Sequence, residues 1–123
     1  PQGGGRVIKM IGDAVMFAAE SARAAAGIAL DLVALYAAED DLPDVRVGLA
    51  FGPTLSWQGD LFGPTVNLAS RLVSLARPGT VLISTAAADQ VDGDSSFALR
   101  RLRPVRLKGL GRVAVTVLRR PAP

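Results

Sequence analysis

The order of apolar runs near the start of the chain constrains the fold most. Residues 6–11 and 14–18 are strand-forming runs separated only by Gly12-Asp13, a connection typical of a β-hairpin. Residues 21–39 carry apolar side chains at helical spacing, and residues 45–51 alternate as a strand does. A hairpin needs a covering element to bury its apolar face, and the helix supplies one. The order β-β-α-β predicts an α+β domain.

The rest of the sequence continues this alternation. Gly63-Pro64 opens a second helix that runs to about residue 76, because proline suits the first helical position. The remaining predicted elements are a strand at 80–84, a short helix at 86–91, and strands at 97–102, 105–107 and 113–118. The leading order matches a βαββαβ sandwich whose first strand, in the middle of the sheet, is absent. We predict one domain over residues 1–123, a ferredoxin-like βαββαβ-derived fold with the first strand and helix region missing.

Composition excludes several classes of protein. Hydrophobic residues make up 50% of the chain, and no uninterrupted apolar run reaches the length of a membrane span. The chain has neither cysteine nor histidine, so a metal would be held by oxygen ligands, which favours Mg²⁺, Ca²⁺ or Mn²⁺. The absence of cysteine and of a leader-like segment favours a cytoplasmic domain.

Charge is unevenly distributed along the chain. Residues 1–99 carry 6 basic and 11 acidic side chains, whereas residues 100–123 carry 8 basic and no acidic ones. Such a basic segment can meet phosphate, nucleic acid or anionic lipid. The alternative is that these arginines form the solvated faces of edge strands. An RNA-binding sheet would need exposed aromatic side chains, and the chain has six aromatic residues in all, so we expect no nucleic-acid partner.

Two charged residues interrupt the apolar hairpin. Asp13 follows a glycine, as turn residues often do, yet a carboxylate at a tight turn also suits a hard cation. Lys9 lies four positions earlier, and it is either an edge lysine, a partner of Asp13 or part of a site.

Polar residues also stand out on the second predicted helix and after it. Asn67 and Arg71 are four positions apart, so their side chains meet on one face, and an arginine fork suits phosphate oxygens. A solvent-facing polar pair is the alternative. Val66, Ala69, Val73 and Ala76 are expected to form the core-facing stripe. Lys108 precedes a glycine turn and by itself indicates little.

Five segments, taken in order, resemble the catalytic domain of class III nucleotidyl cyclases, of the bacterial adenylate cyclase type. The resemblance covers essentially the whole chain. The segments are Lys-Met-Ile-Gly-Asp (9–13), Arg-Val-Gly-Leu-Ala-Phe-Gly-Pro (46–53), Gly-Asp-Leu-Phe-Gly-Pro-Thr-Val-Asn-Leu-Ala-Ser-Arg-Leu (59–72), Pro-Gly-Thr-Val-Leu-Ile-Ser (78–84) and Leu-Lys-Gly-Leu (107–110).

The resemblance implies the conversion of ATP to 3′,5′-cyclic AMP and pyrophosphate, assisted by two Mg²⁺ or Mn²⁺ ions. It implies that Asp13 is one of two metal-binding aspartates and that Lys9 and Asp60 bind adenine. Guanine-specific members typically carry glutamate and cysteine, or similar residues, at those two positions. The lysine–aspartate pair therefore favours ATP, with a guanylate cyclase as the alternative.

The resemblance also assigns the remaining candidates. It implies that Asn67 positions the ribose, that Arg71 stabilises charge on the phosphates in the transition state, and that Lys108 binds the terminal phosphates. Active sites in this family lie at a dimer interface, and a chain with both sets of residues implies a homodimer with two symmetric sites. Regulatory domains are expected elsewhere in the parent protein.

One departure from the family pattern is serious. The other metal-binding aspartate lies on the family's opening strand, in a segment resembling Phe-x-Asp, and these residues contain no counterpart of it. We therefore expect residues 1–123 alone to have little or no cyclase activity and the parent protein to be active. The alternative is a catalytically silent cyclase-homology module that dimerises or regulates.

Overall fold

The computed structural model describes residues 6–11, 13–19, 21–52, 55–57 and 60–122. They form an α+β fold, as predicted, with one main sheet and two small hairpins. The elements are β1 (Arg6–Ile11), β2 (Ala14–Ala19), α1 (Ala22–Ala37), β3 (Arg46–Phe51), β4 (Leu55–Trp57), β5 (Asp60–Phe62), α2 (Pro64–Leu75), β6 (Val81–Ser84), α3 (Thr85–Val91), β7 (Ala98–Arg101), β8 (Val105–Leu107), β9 (Gly111–Val113) and β10 (Val115–Arg119).

The main sheet has six strands in the order β1-β2-β3-β6-β10-β7. Strands β1 and β2 form the predicted antiparallel hairpin, with Ile11 paired to Ala14. Strands β2 and β3 are parallel and hydrogen-bond directly, and helix α1 connects them. In a complete βαββαβ arrangement the first strand would lie between this parallel pair. In the present chain the two strands close against each other.

Helices α1 and α3 cover one side of the sheet, called the closed face below. Its core contains Phe17, Leu49 and Ile83, all fully buried, together with alanines of α1. Of the large apolar residues that recur at helical spacing in α1, Ile28 and Leu32 are partly buried against this core, and Leu35 is 60% exposed. The buried residues of the helix are Ala22, Ala25, Ala26, Ala29 and Leu30. Small side chains allow the helix axis to approach the sheet closely, so the alanine face points inward.

Helix α2 covers part of the other side, called the open face below, and Val105 of β8 packs beside it. The helix begins at Pro64, as predicted, and it buries Ala69, Leu72 and Thr65. Of the predicted stripe, Ala69 and Ala76 are buried, whereas Val66 and Val73 are only partly so. The helix lies directly on β3 at Gly48, where an added Cβ would come within 2.5 Å of the Val73 backbone nitrogen and 2.6 Å of the Ala69 carbonyl oxygen. Only glycine fits this contact.

The smaller elements lie outside the main sheet. Strands β4 and β5 form a small antiparallel hairpin, in which Trp57 pairs with Asp60. Strands β8 and β9 form a second hairpin, with Leu107 paired to Gly111. No helix within the described residues combines the length and apolarity needed to cross a membrane.

Candidate functional site

Helix α2 presents two of the predicted site residues to solvent. Ala69 and Leu72 are buried against the sheet, so the opposite side of the helix faces solvent. Asn67 and Arg71 are both exposed, one helical turn apart, as the sequence predicted. Arg71 has no ion-pair partner within the described part of the chain. Its guanidinium group is therefore available to an anion.

The turn between β8 and β9 carries the third residue, Lys108. The backbone nitrogen of Leu110 donates to the carbonyl oxygen of Leu107 at 3.0 Å, which closes the turn. Gly109 adopts a φ of 83°, in the left-handed region that favours glycine. The turn projects from a short, well-defined hairpin, and the Lys108 side chain is exposed.

Helix and turn together enclose an open depression of about 350 Å³, called the α2 depression below. Its lining residues are Asn67, Ser70, Arg71, Lys108, Gly109 and Leu110. Asn67 and Arg71 precede Lys108 by 37 or more positions in sequence. All three predicted site residues nevertheless line this one depression. Two basic side chains and an amide line it, and no carboxylate is present among its described lining residues. Such a donor set suits the oxygens of a phosphate chain.

Asp13 lies elsewhere, in the turn between β1 and β2, and it does not line the α2 depression. Its carboxylate accepts a hydrogen bond from Nη2 of Arg46 at 3.4 Å. The Arg46 side chain is 34% exposed and the Asp13 side chain 40%. The backbone nitrogen of Arg46 donates to the carbonyl oxygen of Asp13 at 2.8 Å. The partner of Asp13 is therefore Arg46, a residue that the sequence did not single out.

Arg46 was missed because its partner depends on the sheet. The two residues are 33 positions apart and meet only because β2 and β3 pair in parallel, with Ala14 opposite Arg46. The Nε of Arg46 is buried and has no acceptor within the described residues. A buried guanidinium nitrogen without an acceptor is costly, so the Asp13–Arg46 pair is held at some cost to stability.

The two base-recognition candidates are described only by their backbone. Lys9 lies in β1 opposite Met16, and Asp60 lies in β5 opposite Trp57. Their side chains are outside the described part of the structure, so their predicted role stays a prediction.

The described residues do not hold a complete metal site. They contain no group of three or more histidine, cysteine, aspartate or glutamate side chains able to hold an ion. Asp13 contributes a half-exposed carboxylate, an oxygen ligand of the kind that Mg²⁺ and Mn²⁺ accept. A single carboxylate fits such an ion when phosphate oxygens supply further ligands.

Comparison with known proteins decides the family. A family model described as the adenylate and guanylate cyclase catalytic domain matches residues 2–120. The chain belongs to this family. Catalytic domains of this family require divalent metals and act on nucleotides, which agrees with the donor sets at Asp13 and in the α2 depression.

Individual relatives of this cyclase domain support the same conclusion. An adenylate cyclase of Glutamicibacter nicotianae is 43% identical over 109 residues, covering 89% of this chain and 27% of that protein. An adenylate cyclase of Streptomyces coelicolor is 50% identical over 88 residues, covering 72% of this chain and 23% of that protein. The chain thus spans about a quarter of the length of these curated relatives.

A solved structure shows that the fold is shared as well. The crystal structure of an adenylate/guanylate cyclase/hydrolase from Silicibacter pomeroyi matches with a TM-score of 0.76 and 26% identity. The match covers 96% of this chain and 75% of that chain. The predicted cyclase fold is confirmed.

Proposed function

We propose that the protein containing this domain is an adenylate cyclase, which converts ATP to 3′,5′-cyclic AMP and pyrophosphate. The observation that carries the proposal is the convergence of Asn67, Arg71 and Lys108 on one carboxylate-free depression. Both curated relatives reported above are named adenylate cyclases, which supports ATP as the substrate and cyclic AMP as the product.

The reaction needs positioning and charge stabilisation more than covalent work by the protein. The ribose 3′-oxygen forms a bond to the α-phosphorus as the bond to the β-phosphate oxygen breaks, pyrophosphate leaves, and the 3′-hydroxyl proton is released. Asn67 would orient the ribose, and Arg71 would stabilise the charge that develops on the phosphates. Lys108, from the opposite wall of the α2 depression, would bind the terminal phosphates.

A divalent ion, Mg²⁺ or Mn²⁺, would be held in part by Asp13. When bound, such ions neutralise phosphate charge and favour ionisation of the attacking hydroxyl. The carboxylate of Asp13 accepts a hydrogen bond from Arg46 at 3.4 Å, which favours one orientation of the group.

Lys9 and Asp60 would select the base. A lysine donor and a carboxylate acceptor match the ring nitrogen and the exocyclic amine of adenine, and they mismatch guanine. The two residues belong to different strands, β1 and β5.

The active sites would form between two copies of the domain. Asp13 lies outside the α2 depression, although both belong to the same reaction in this proposal. A two-fold dimer reconciles the two, because it brings the metal side of one copy to the depression of the other. A solved guanylyl cyclase domain from Blastocladiella emersonii, which shares this fold at 21% identity, is described as a non-canonical dimer.

The test is a cyclase assay of the full-length protein with Mn²⁺ and either ATP or GTP. We expect cyclic AMP from the wild type, and a shift in preference towards GTP in the Lys9→Glu, Asp60→Cys double variant. Residues 1–123 assayed alone should give little or no product, because this stretch supplies Asp13 and no second metal-binding aspartate of the family pattern.

Each arm has an outcome that contradicts the proposal. No cyclic nucleotide from the full-length protein would favour the silent dimerisation module. Cyclic GMP as the main wild-type product would make it a guanylate cyclase. Unchanged ATP preference in the double variant would remove Lys9 and Asp60 from base selection while leaving the reaction intact.

A further inference from the structure

The open face carries a second concavity, distinct from the α2 depression. It measures about 550 Å³ and lies between the C-terminal end of α2 and the strands β6, β10 and β7. We call it the arginine groove, after Arg77, Arg100 and Arg119, which line it. It shares no lining residue with the α2 depression.

The floor of the arginine groove is apolar. Leu82 and Val117 come from neighbouring strands and are 5% and 9% exposed, and the partly buried Leu102 continues the same surface. Leu75, at the end of α2, is 39% exposed and forms one wall. Most of the apolar surface left exposed in the groove thus belongs to Leu75 and Leu102, and the apolar body of a ligand could cover it.

The rim is cationic, and its charges are not neutralised. Arg77, Arg100 and Arg119 have no ion-pair partner within the described residues, and no carboxylate is found among the described residues that line the groove. Three unpaired guanidinium groups around one cavity raise the local concentration of anions.

On β7 and at the end of β10, whether an arginine has a partner depends on the face to which it points. Arg101 follows Arg100 on strand β7, and it points to the closed face, where it lies 3.6 Å from Asp89 and 3.9 Å from Asp92. Arg120 follows Arg119 and pairs with Asp31 of helix α1. Successive strand residues face opposite sides of a sheet. The arginines of the closed face are thus neutralised by the protein, and those of the groove are left for a ligand.

We propose that the arginine groove binds a small organic anion, one that joins a phosphate or carboxylate group to an apolar body. The guanidinium forks would hold the anionic group, since their planar geometry matches both oxyanions. The leucine and valine floor would hold the apolar part. The volume falls within the range of pockets that bind small molecules, about 300–1,000 Å³. This site is separate from the proposed cyclase site.

The test uses 8-anilinonaphthalene-1-sulfonate as a fluorescent probe of the folded protein. We expect one probe to bind per chain, and the Arg100→Gln, Arg119→Gln double variant to bind it about tenfold or more weakly. The matched control is the Arg101→Gln, Arg120→Gln double variant, which removes the same charge from the same strands on the closed face. It should bind the probe as the wild type does. Arg71→Gln should leave binding unchanged, which separates the groove from the α2 depression.

Competition then defines the ligand. 1-Naphthyl phosphate and 1-naphthoate should both displace the probe, and their relative strength distinguishes a phosphate ligand from a carboxylate one. Neutral 1-naphthol should compete poorly. Because the strand variants could alter folding, their thermal unfolding is compared with that of the wild type. Arg77→Gln, which lies in a turn, provides a second way to weaken binding.

Several results would overturn the proposal. Equal loss of binding in both double variants would mean that the probe responds to overall charge. Equal displacement by 1-naphthol would mean that the rim contributes nothing. Displacement by a leucine- and glutamate-rich peptide, without displacement by either naphthyl anion, would make the groove a protein docking surface instead.

Discussion

The two faces of the main sheet differ in how far their cations are paired. On the closed face, two helices cover the strands, and the cations Arg23, Arg101 and Arg120 are each matched with an aspartate. On the open face, Arg46 is matched with Asp13, whereas Arg71, Lys108 and the rim of the arginine groove have no such match within the described residues. The closed face stabilises the fold, and the open face is available to anionic ligands.

The largest expected effect is on the catalytic rate, and it depends on which face carries the substituted arginine. Arg71→Ala in the full-length protein should lower kcat by about 100- to 1,000-fold with a smaller change in KM, because the charge acts mainly in the transition state. Arg71→Lys should restore only part of the activity, since it keeps the charge and loses the planar fork. Steady-state assays with Mn²⁺ and ATP measure both.

The control for this prediction is an arginine of the closed face. Arg23→Ala removes a cation whose Nε lies 3.1 Å from the Asp94 carboxylate. The Arg23 side chain is 69% exposed, and it belongs to the face opposite the α2 depression. It should leave kcat near the wild-type value. A comparable loss of kcat in both variants would break the distinction between the faces.

A second prediction compares how tightly the helices of the two faces pack. Gly48→Ala should lower the free energy of unfolding by about 1–3 kcal/mol, because the added methyl group meets the backbone of α2. Gly27→Ala, in α1 on the closed face, meets nothing within 4 Å. It should raise the free energy of unfolding by about 0.5–1 kcal/mol, since alanine favours the helix. Urea unfolding of both variants measures the difference, and destabilisation by Gly27→Ala would contradict it.

The smallest expected effect concerns pH and the closed face. The backbone N–H of Ser96 donates to the Asp94 carboxylate at 2.8 Å, and together with the Ser96 side chain and Arg23 it holds the pKa of Asp94 below the ordinary 3.8. The folded state thus binds this proton less readily than the unfolded state. The contribution to stability is present above the unfolded pKa and is lost as pH falls through the folded one.

Replacing the carboxylate tests this assignment. Asp94→Asn should flatten the dependence of the melting temperature on pH below about 4, with only a small change at neutral pH, because the amide keeps an oxygen that can accept from the Ser96 N–H. Thermal unfolding at a series of pH values measures it. An unchanged acid limb would mean that other carboxylates dominate.

Local patterns predicted much of this molecule. The β1–β2 hairpin depends on residues that are adjacent in sequence, and so does the start of α2 at Pro64. The shared exposed face of Asn67 and Arg71 follows from helical spacing alone. Their meeting with Lys108 was expected only through the family resemblance, and the structure brings the three to one depression.

Long-range features were not accessible in the same way. The Asp13–Arg46 pair depends on a parallel pairing between strands whose order no local pattern encodes. The inward alanine face of α1 was missed because larger apolar residues dominate a periodicity count, although packing distance decides which face turns inward. The sequence leaves open whether the tail arginines bind an anion or are solvated edge residues, and their division between two faces appears only once the register of β7 and β10 is known.

Helix α2 borders both concavities of the open face. Arg71 lines one and Leu75 the other, four residues and about 6 Å further along the axis. At Gly48 no side chain separates this helix from β3, so there is nothing compressible to absorb a displacement. A ligand that moves the helix at one concavity therefore moves it at the other. Thermodynamic linkage makes such an influence mutual, with each ligand changing the affinity of the other by the same factor.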